Sequence, residues 1–174
     1  MLMLLFVLLC ISIILLVCLL ISIYYRITRT SLSASEALAN INIALEKRYE
    51  LIPDLVKTVK KHNPNGDTIT KELTKVREQA LLASSFEEIV ETNALLSTHL
   101  STLLDAANSL PKLKADTRFK TLKKSLHKIE EEFSHAKDCY NSLIKKYNRL
   151  VTIFPNVIIA HFIGAKPKKF FSNA

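Results

Sequence analysis

The chain has 174 residues, a formal net charge of +8 and 49% apolar residues, which suits one domain with a sizeable core. Only two glycines and three cysteines are present, which argues against a glycine-rich phosphate loop, a disulfide framework or a Cys-x-x-Cys metal site. The apolar content is uneven: residues 1–25 contain no Asp, Glu, Lys, Arg or His, and the first charge is Arg26.

From Leu2 to Tyr25 an α-helix reaches about 36 Å at ~1.5 Å per residue, enough to cross a hydrocarbon layer of ~30 Å with some tilt. A cleaved signal peptide needs a basic segment ahead of a shorter apolar run and small residues at the cleavage point. Nothing basic precedes this run, and Ser-Ile-Tyr-Tyr-Arg follows it, so residues 2–25 read as a lasting anchor in the lipid bilayer. Arg26 and Arg29 follow the span, Tyr24 and Tyr25 sit at its interface, and positive-inside logic puts the N-terminus outside and the long C-terminal part in the cytoplasm. Cys10 and Cys18 are about 12 Å apart along one helix, too far to bond to each other. Cys139 is then left without a partner inside the chain.

After residue 30 the pattern is helical. Ala34, Leu38, Ile41, Leu45, Arg48, Ile52, Leu55 and Val59 recur in alternating steps of four and three, one seam of a helix over residues 33–61. His-Asn-Pro-Asn-Gly-Asp ends it, with Asp67 as the next cap. Ile69, Leu73, Val76, Ala80 and Ala83 form a second seam, and Ser85 with Glu88 matches a capping box that starts a third helix. Its seam is Ile89, Asn93, Leu96, Leu100, Leu103, Ala107 and Leu110, ended by Pro111. The fourth runs through Phe119, Leu122, Leu126, Ile129, Phe133, Ala136, Tyr140, Ile144, Tyr147, Val151 and Phe154 to Pro155. The expected fold is all-α: a transmembrane helix followed by an antiparallel up-down four-helix bundle with long first and last helices. A helix running through Ser84-Ser85 would leave three. The expected domains are an anchor over residues 1–29, a bundle over residues 30–155 and a basic, aromatic tail over residues 156–174. With four helices the tail ends near the bilayer, where Lys166, Lys168, Lys169, Phe170 and Phe171 are candidates for docking on it; a tail folded over the bundle end is the competing arrangement.

The segments "LEKRYELIPDLVKTVK", "VREQA" and "LPKLKADTRFKTLKKSL", the pairs Tyr140-Asn141 and Tyr147-Asn148, and Phe154-Pro155 resemble the LemA family, in order and across nearly the whole chain. The resemblance implies a single-pass bacterial cell-membrane protein with a cytoplasmic helical bundle and no established biochemical activity. The family's paired arginines appear here as Lys47-Arg48, its Tyr-Pro as Leu110-Pro111, its Glu-Asn pair as Glu130-Glu131, and its basic residue before the first Tyr-Asn as Lys137.

Arg48 at a seam position needs an acid or a route to water, because an unpaired buried charge costs several kcal/mol. Antiparallel first and last helices meet near residues 48 and 135, which makes Glu130 or Glu131 the expected partner. Tyr140, Asn141, Tyr147 and Asn148 repeat at seven residues and extend the expected polar core network, because buried hydroxyls and amides need partners. Pro53 removes an amide and crowds the Tyr49 carbonyl, so the helix is expected to kink there.

Enzymatic chemistry finds little support. Glu132-x-x-His135 is one half of a di-iron motif, but no second copy exists, and His127, Glu131 and His135 along one face lack facing ligands. Neither catalytic residues, nor a cofactor, nor a metal site is expected. Lys112, Lys114, Arg118, Lys120, Lys123, Lys124 and Lys128 crowd around Asp116, and the one aromatic residue among them, Phe119, belongs to the apolar seam, so nucleic acid is not an expected partner either. The expectation is a membrane-anchored scaffold or adaptor with protein partners. The alternative is a small-molecule or ion sensor using the polar layer of the bundle.

Overall fold

The computed structural model describes residues 1–62 and 67–172. Six helices follow in chain order: α1 (Leu2–His62), α2 (Asp67–Leu82), α3 (Phe86–Asn108), α4 (Pro111–Ala115), α5 (Thr117–Thr152) and α6 (Asn156–Phe162). There is no strand among the described residues. Among the described residues there are six helices where the periodicity gave four bundle helices, because short helices form at Pro111 and after Pro155. Pro111 occupies the first turn of α4, where its missing amide costs nothing and its fixed φ suits the helix.

The expected anchor and first bundle helix are one unbroken element. No glycine or proline falls between Tyr25 and Ser33, and the hydroxyls there bond back into the helix. Thr30 Oγ1 donates to the Arg26 carbonyl at 2.8 Å and Ser35 Oγ to the Ser31 carbonyl at 3.2 Å, so these side chains do not pull the backbone into a turn.

The chain divides into two compact units, residues 1–38 with 138–170, and residues 39–137 with 171–174. In the second unit, the pairs Lys47–Glu132, Asp54–Arg118 and His62–Asp116 descend along α5 to the residue before it as they ascend α1, so these segments run antiparallel. Glu72 faces His99 across α2 and α3, and Asn108 accepts from Lys123 across α3 and α5. The break at Ser84-Ser85 is real: Ser85 caps α3 by accepting from the Glu88 amide while Glu88 takes the Ser85 amide. Most seam positions are buried as their spacing requires, including Ile41, Ile52, Leu73, Leu96, Leu103, Phe119 and Ile144, while Leu38, Ile69, Ala83, Ile89 and Leu110 are half-buried. Phe154 departs from its seam and is exposed, because α5 stops at Thr152. The turn expected at residues 63–66, and with it the side chain of Asp67, lies outside the described residues.

Pro53 sits inside α1. A proline cannot donate to the carbonyl four residues back, and that carbonyl, of Tyr49, is taken instead by Arg77 Nε from α2 at 2.7 Å. An inter-helix bond replaces an intra-helix one.

The first unit is built on Ile23 and Ile27 of α1, which pack with Tyr147 and Val151 of α5 and Ile159 and Ala160 of α6. α6 ends in a Schellman turn: Ala165 N–H reaches the Ala160 carbonyl at 2.8 Å and Gly164 N–H that of His161 at 3.2 Å. Gly164 holds φ +68° there, a conformation that glycine adopts without a steric penalty.

The Tyr49–Arg77 bond and the paired acids are both open to measurement. Arg77→Ala leaves the Tyr49 carbonyl unpaired and costs about 1–3 kcal/mol, whereas in a Pro53→Ala background the restored amide takes the carbonyl and the cost shrinks. Urea unfolding of the four-member mutant cycle measures the coupling, and strict additivity contradicts it. The second concerns pH. Glu88 is held below the ordinary carboxylate range by the Ser84 and Ser85 amides, and Asp116 by the Phe119 amide and then His62. Glu132 is held there by its bond from Lys47. Folding lowers these values, so their stabilisation is complete above the unfolded range of about 4 and is lost as pH falls through the lower folded values. The thermal midpoint should therefore drop on acidification below about pH 5, and less steeply in Asp116→Asn; a midpoint that rises contradicts it.

Candidate functional site

Two polar assemblies stand out, one in each unit. In the second unit the side chain of Arg48 is 3% exposed and reaches two other helices. Its Nη1 donates to Asn93 Oδ1 at 2.7 Å and its Nη2 to Ser97 Oγ at 3.0 Å, while Ser97 Oγ donates on to the Asn93 carbonyl at 2.9 Å. Glu130 Oε1 of α5 lies 2.8 Å from Arg48 Nε. That contact is an ion pair by distance but not a hydrogen bond by direction, so Nε and Oε1 are both buried without a hydrogen-bond partner among the described residues. Burial pushes the Arg48 guanidinium below its ordinary pKa, opposed by the charge of Glu130. An arginine nevertheless stays protonated in a protein, so the centre holds a fixed cation. The Glu130 side chain keeps 35% exposure, which spares much of the cost of dehydrating the acid.

Of the two expected partners, the structure brings Glu130 to Arg48 and leaves Glu131 on the surface, 3.3 Å from His127 one turn back. Neighbouring Lys47 pairs with Glu132 at 2.8 Å, outside the core. Asn93 and Ser97 were not foreseen as ligands of Arg48. The signal was present, since Asn93 is the one amide in the third apolar seam, and it is 1% exposed. Among the described residues no group of three His, Cys, Asp or Glu side chains is placed to share a metal ion.

The Tyr-Asn pairs belong to the first unit and do different work. Asn148 Nδ2 donates to the Lys168 carbonyl and Asn148 Oδ1 accepts the Lys168 amide, both at 2.8 Å. One asparagine thus binds one backbone residue as a neighbouring β-strand would. Tyr140 Oη donates to the Lys169 carbonyl at 3.0 Å. Lys168 Nζ reaches Ser31 Oγ at 2.8 Å and stands 5.1 Å from the centroid of the buried Tyr147 ring. Burial pushes the Tyr140 and Tyr147 hydroxyls upward in pKa. Asn141 is half-buried beside them. In the second unit Phe171 is 1% exposed and meets the rings of Phe86 and Phe133 edge-on, each at 5.8 Å.

These contacts hold part of the expected docking tail against the protein. Lys168, the Lys169 carbonyl and Phe171 are engaged with the protein, and the side chains of Lys166 and Phe170 are exposed. Tyr140 and Asn148 clasp the C-terminal segment, and what they bind is the chain's own backbone.

The Arg48 centre yields a direct contrast. Glu130→Ala strands a buried cation and costs about 3 kcal/mol or more, whereas Glu131→Ala stays within about 0.5 kcal/mol as an exposed substitution. Denaturant unfolding of the full chain in mild detergent, followed by circular dichroism, separates the two; equal effects contradict the assignment.

No curated protein matches the chain in sequence. A family model does, that of the LemA family, over residues 37–174, a stretch that takes in the Arg48 centre, Pro53 and the whole clasp. The chain belongs to the LemA family.

Proposed function

We propose that the protein is a single-pass, membrane-anchored adaptor whose cytoplasmic part is an up-down four-helix bundle that offers helix surfaces to protein partners without catalysis. The observation that carries this reading is the contrast within α1. Its apolar 18-residue window is long and apolar enough to cross a membrane and has no residue buried inside the protein, while Ile41, Leu45, Ile52 and Leu55 further along the same helix are core. Apolar surface of that extent, unburied by the protein, calls for lipid.

Charge supports the orientation. The unit that carries the apolar segment has eight Lys or Arg residues against two acids, whereas the other has sixteen against fourteen. An excess of cations beside a span favours the cytoplasmic side, which in the bacterial cell membrane puts the bundle inside.

A partner surface is available in the second unit. An open groove of about 440 Å³ runs beside Pro53, with Ile52, Pro53 and Val56 as its apolar floor and Lys57, Lys60, Thr74 and Arg77 around it. Its chemistry suits a segment with an apolar side chain flanked by acids.

A second reading, a sensor of a small molecule or ion, rests on the buried Arg48 Nε and Glu130 Oε1 that lack hydrogen bonds. A ligand bound there would raise the thermal midpoint.

The adaptor reading predicts that a photo-crosslinking residue at Val56, in the groove, gives discrete protein adducts in membranes, and that the same residue at Lys124, on an exposed face, does not. A screen of small molecules and ions should leave the midpoint unmoved. Loss of the Val56 adducts together with a ligand-induced rise of several degrees would favour the sensor instead.

A further inference from the structure

The first unit has an exposed apolar surface that the fold does not use. α6 turns Ile159 and Ala160 onto Ile23 and Ile27 of α1, and its other apolar side chains face outward. Phe154 and Phe162 are 76% and 84% exposed, and Val157 and Ile158 are also exposed. A short helix with apolar residues on both faces is unusual in water.

Its position accounts for this. Ile23 lies in the last turn of the apolar segment and Ile27 just past it, about 6 Å apart along the helix at ~1.5 Å per residue. A helix packed on those two residues stands at the level where hydrocarbon gives way to headgroups. At the same level Arg26 joins Lys146, Arg149, Leu150, Ile153 and Asn156 around a cleft of about 310 Å³. Three cations and an amide line it, and no acidic side chain does. Apolar side chains beside a basic cleft at one depth are the two halves of an interfacial lipid site.

We infer that α6 and the turn before it form a membrane-interface foot: Phe154, Val157, Ile158 and Phe162 enter the acyl boundary, and the Arg26–Lys146–Arg149 cleft takes the phosphate of an anionic lipid. The inference rests on the reading of α1 as a membrane span. It moves the docking surface from the residue 165–171 tail to residues 153–163, because the clasp holds the tail against the protein.

The chain contains no tryptophan, so a single introduced one reports alone. Phe162→Trp in the full chain, reconstituted in bilayers of phosphatidylcholine brominated on its acyl chains with phosphatidylglycerol, should be quenched, as should Phe6→Trp inside the span. Quenching at residue 6 without quenching at residue 162 overturns the foot and leaves the span. Quenching at neither overturns both. For the cleft, spin-labelled phosphatidylglycerol should associate with the protein several-fold more than spin-labelled phosphatidylcholine. The triple variant Arg26→Gln, Lys146→Gln, Arg149→Gln changes only exposed side chains and should bring the ratio close to one. An unchanged ratio overturns the headgroup assignment.

Discussion

In hydrocarbon every backbone amide must be bonded within the chain, because an unsatisfied one costs several kcal/mol and no water is there to take it. On the proposed reading of residues 2–25 as a membrane span, α1 satisfies that requirement as a helix, and it stays helical beyond the span through residues 26–35. The same ladder of bonds then serves a segment whose stripe is core. Thr30 and Ser35, residues that elsewhere favour turns, bond to carbonyls one turn back and keep the helix intact. The positions of Ile23 and Ile27 under α6, and the seats for Tyr147 and Val151, depend on that continuity.

Polar groups in the interior each select a neighbour. Arg48 can be satisfied only where an amide, a hydroxyl and a carboxylate from two other helices converge on it, and this fixes which turns of α3 and α5 face α1. Pro53 leaves the Tyr49 carbonyl open, and Arg77 fills it from α2. Hydrophobic seams alone tolerate sliding by a turn, whereas these pairings do not. Such specificity is the best-attested use of buried ionic groups.

The seams were legible because burial follows helical spacing: Leu73, Leu96, Leu100, Phe119 and Ile144 are core, as their period requires. The break at Ser85 was legible because a capping box is local chemistry. Arg48 with Glu130 followed from antiparallel register. Four things were not legible. α6 hides its helical period in seven residues, too few to separate one face from another. The continuity of α1 was masked because Thr28, Thr30, Ser31 and Ser33, residue types that also suit turns, fill the junction. Asn148 binds the backbone of Lys168, and a backbone partner leaves no side-chain pattern to read. Ser97 as a ligand of Arg48 required knowing which face of α3 turned inward.

The junction in α1 is the place to probe first. Amide hydrogen exchange of the full chain in lipid nanodiscs, resolved over residues 27–35, reads the ladder directly. A continuous helix predicts slow exchange there, comparable with residues 41–52. Exchange at the rate of unstructured chain over those amides would separate the apolar segment from the helix that follows, and would contradict the single element on which both units are built.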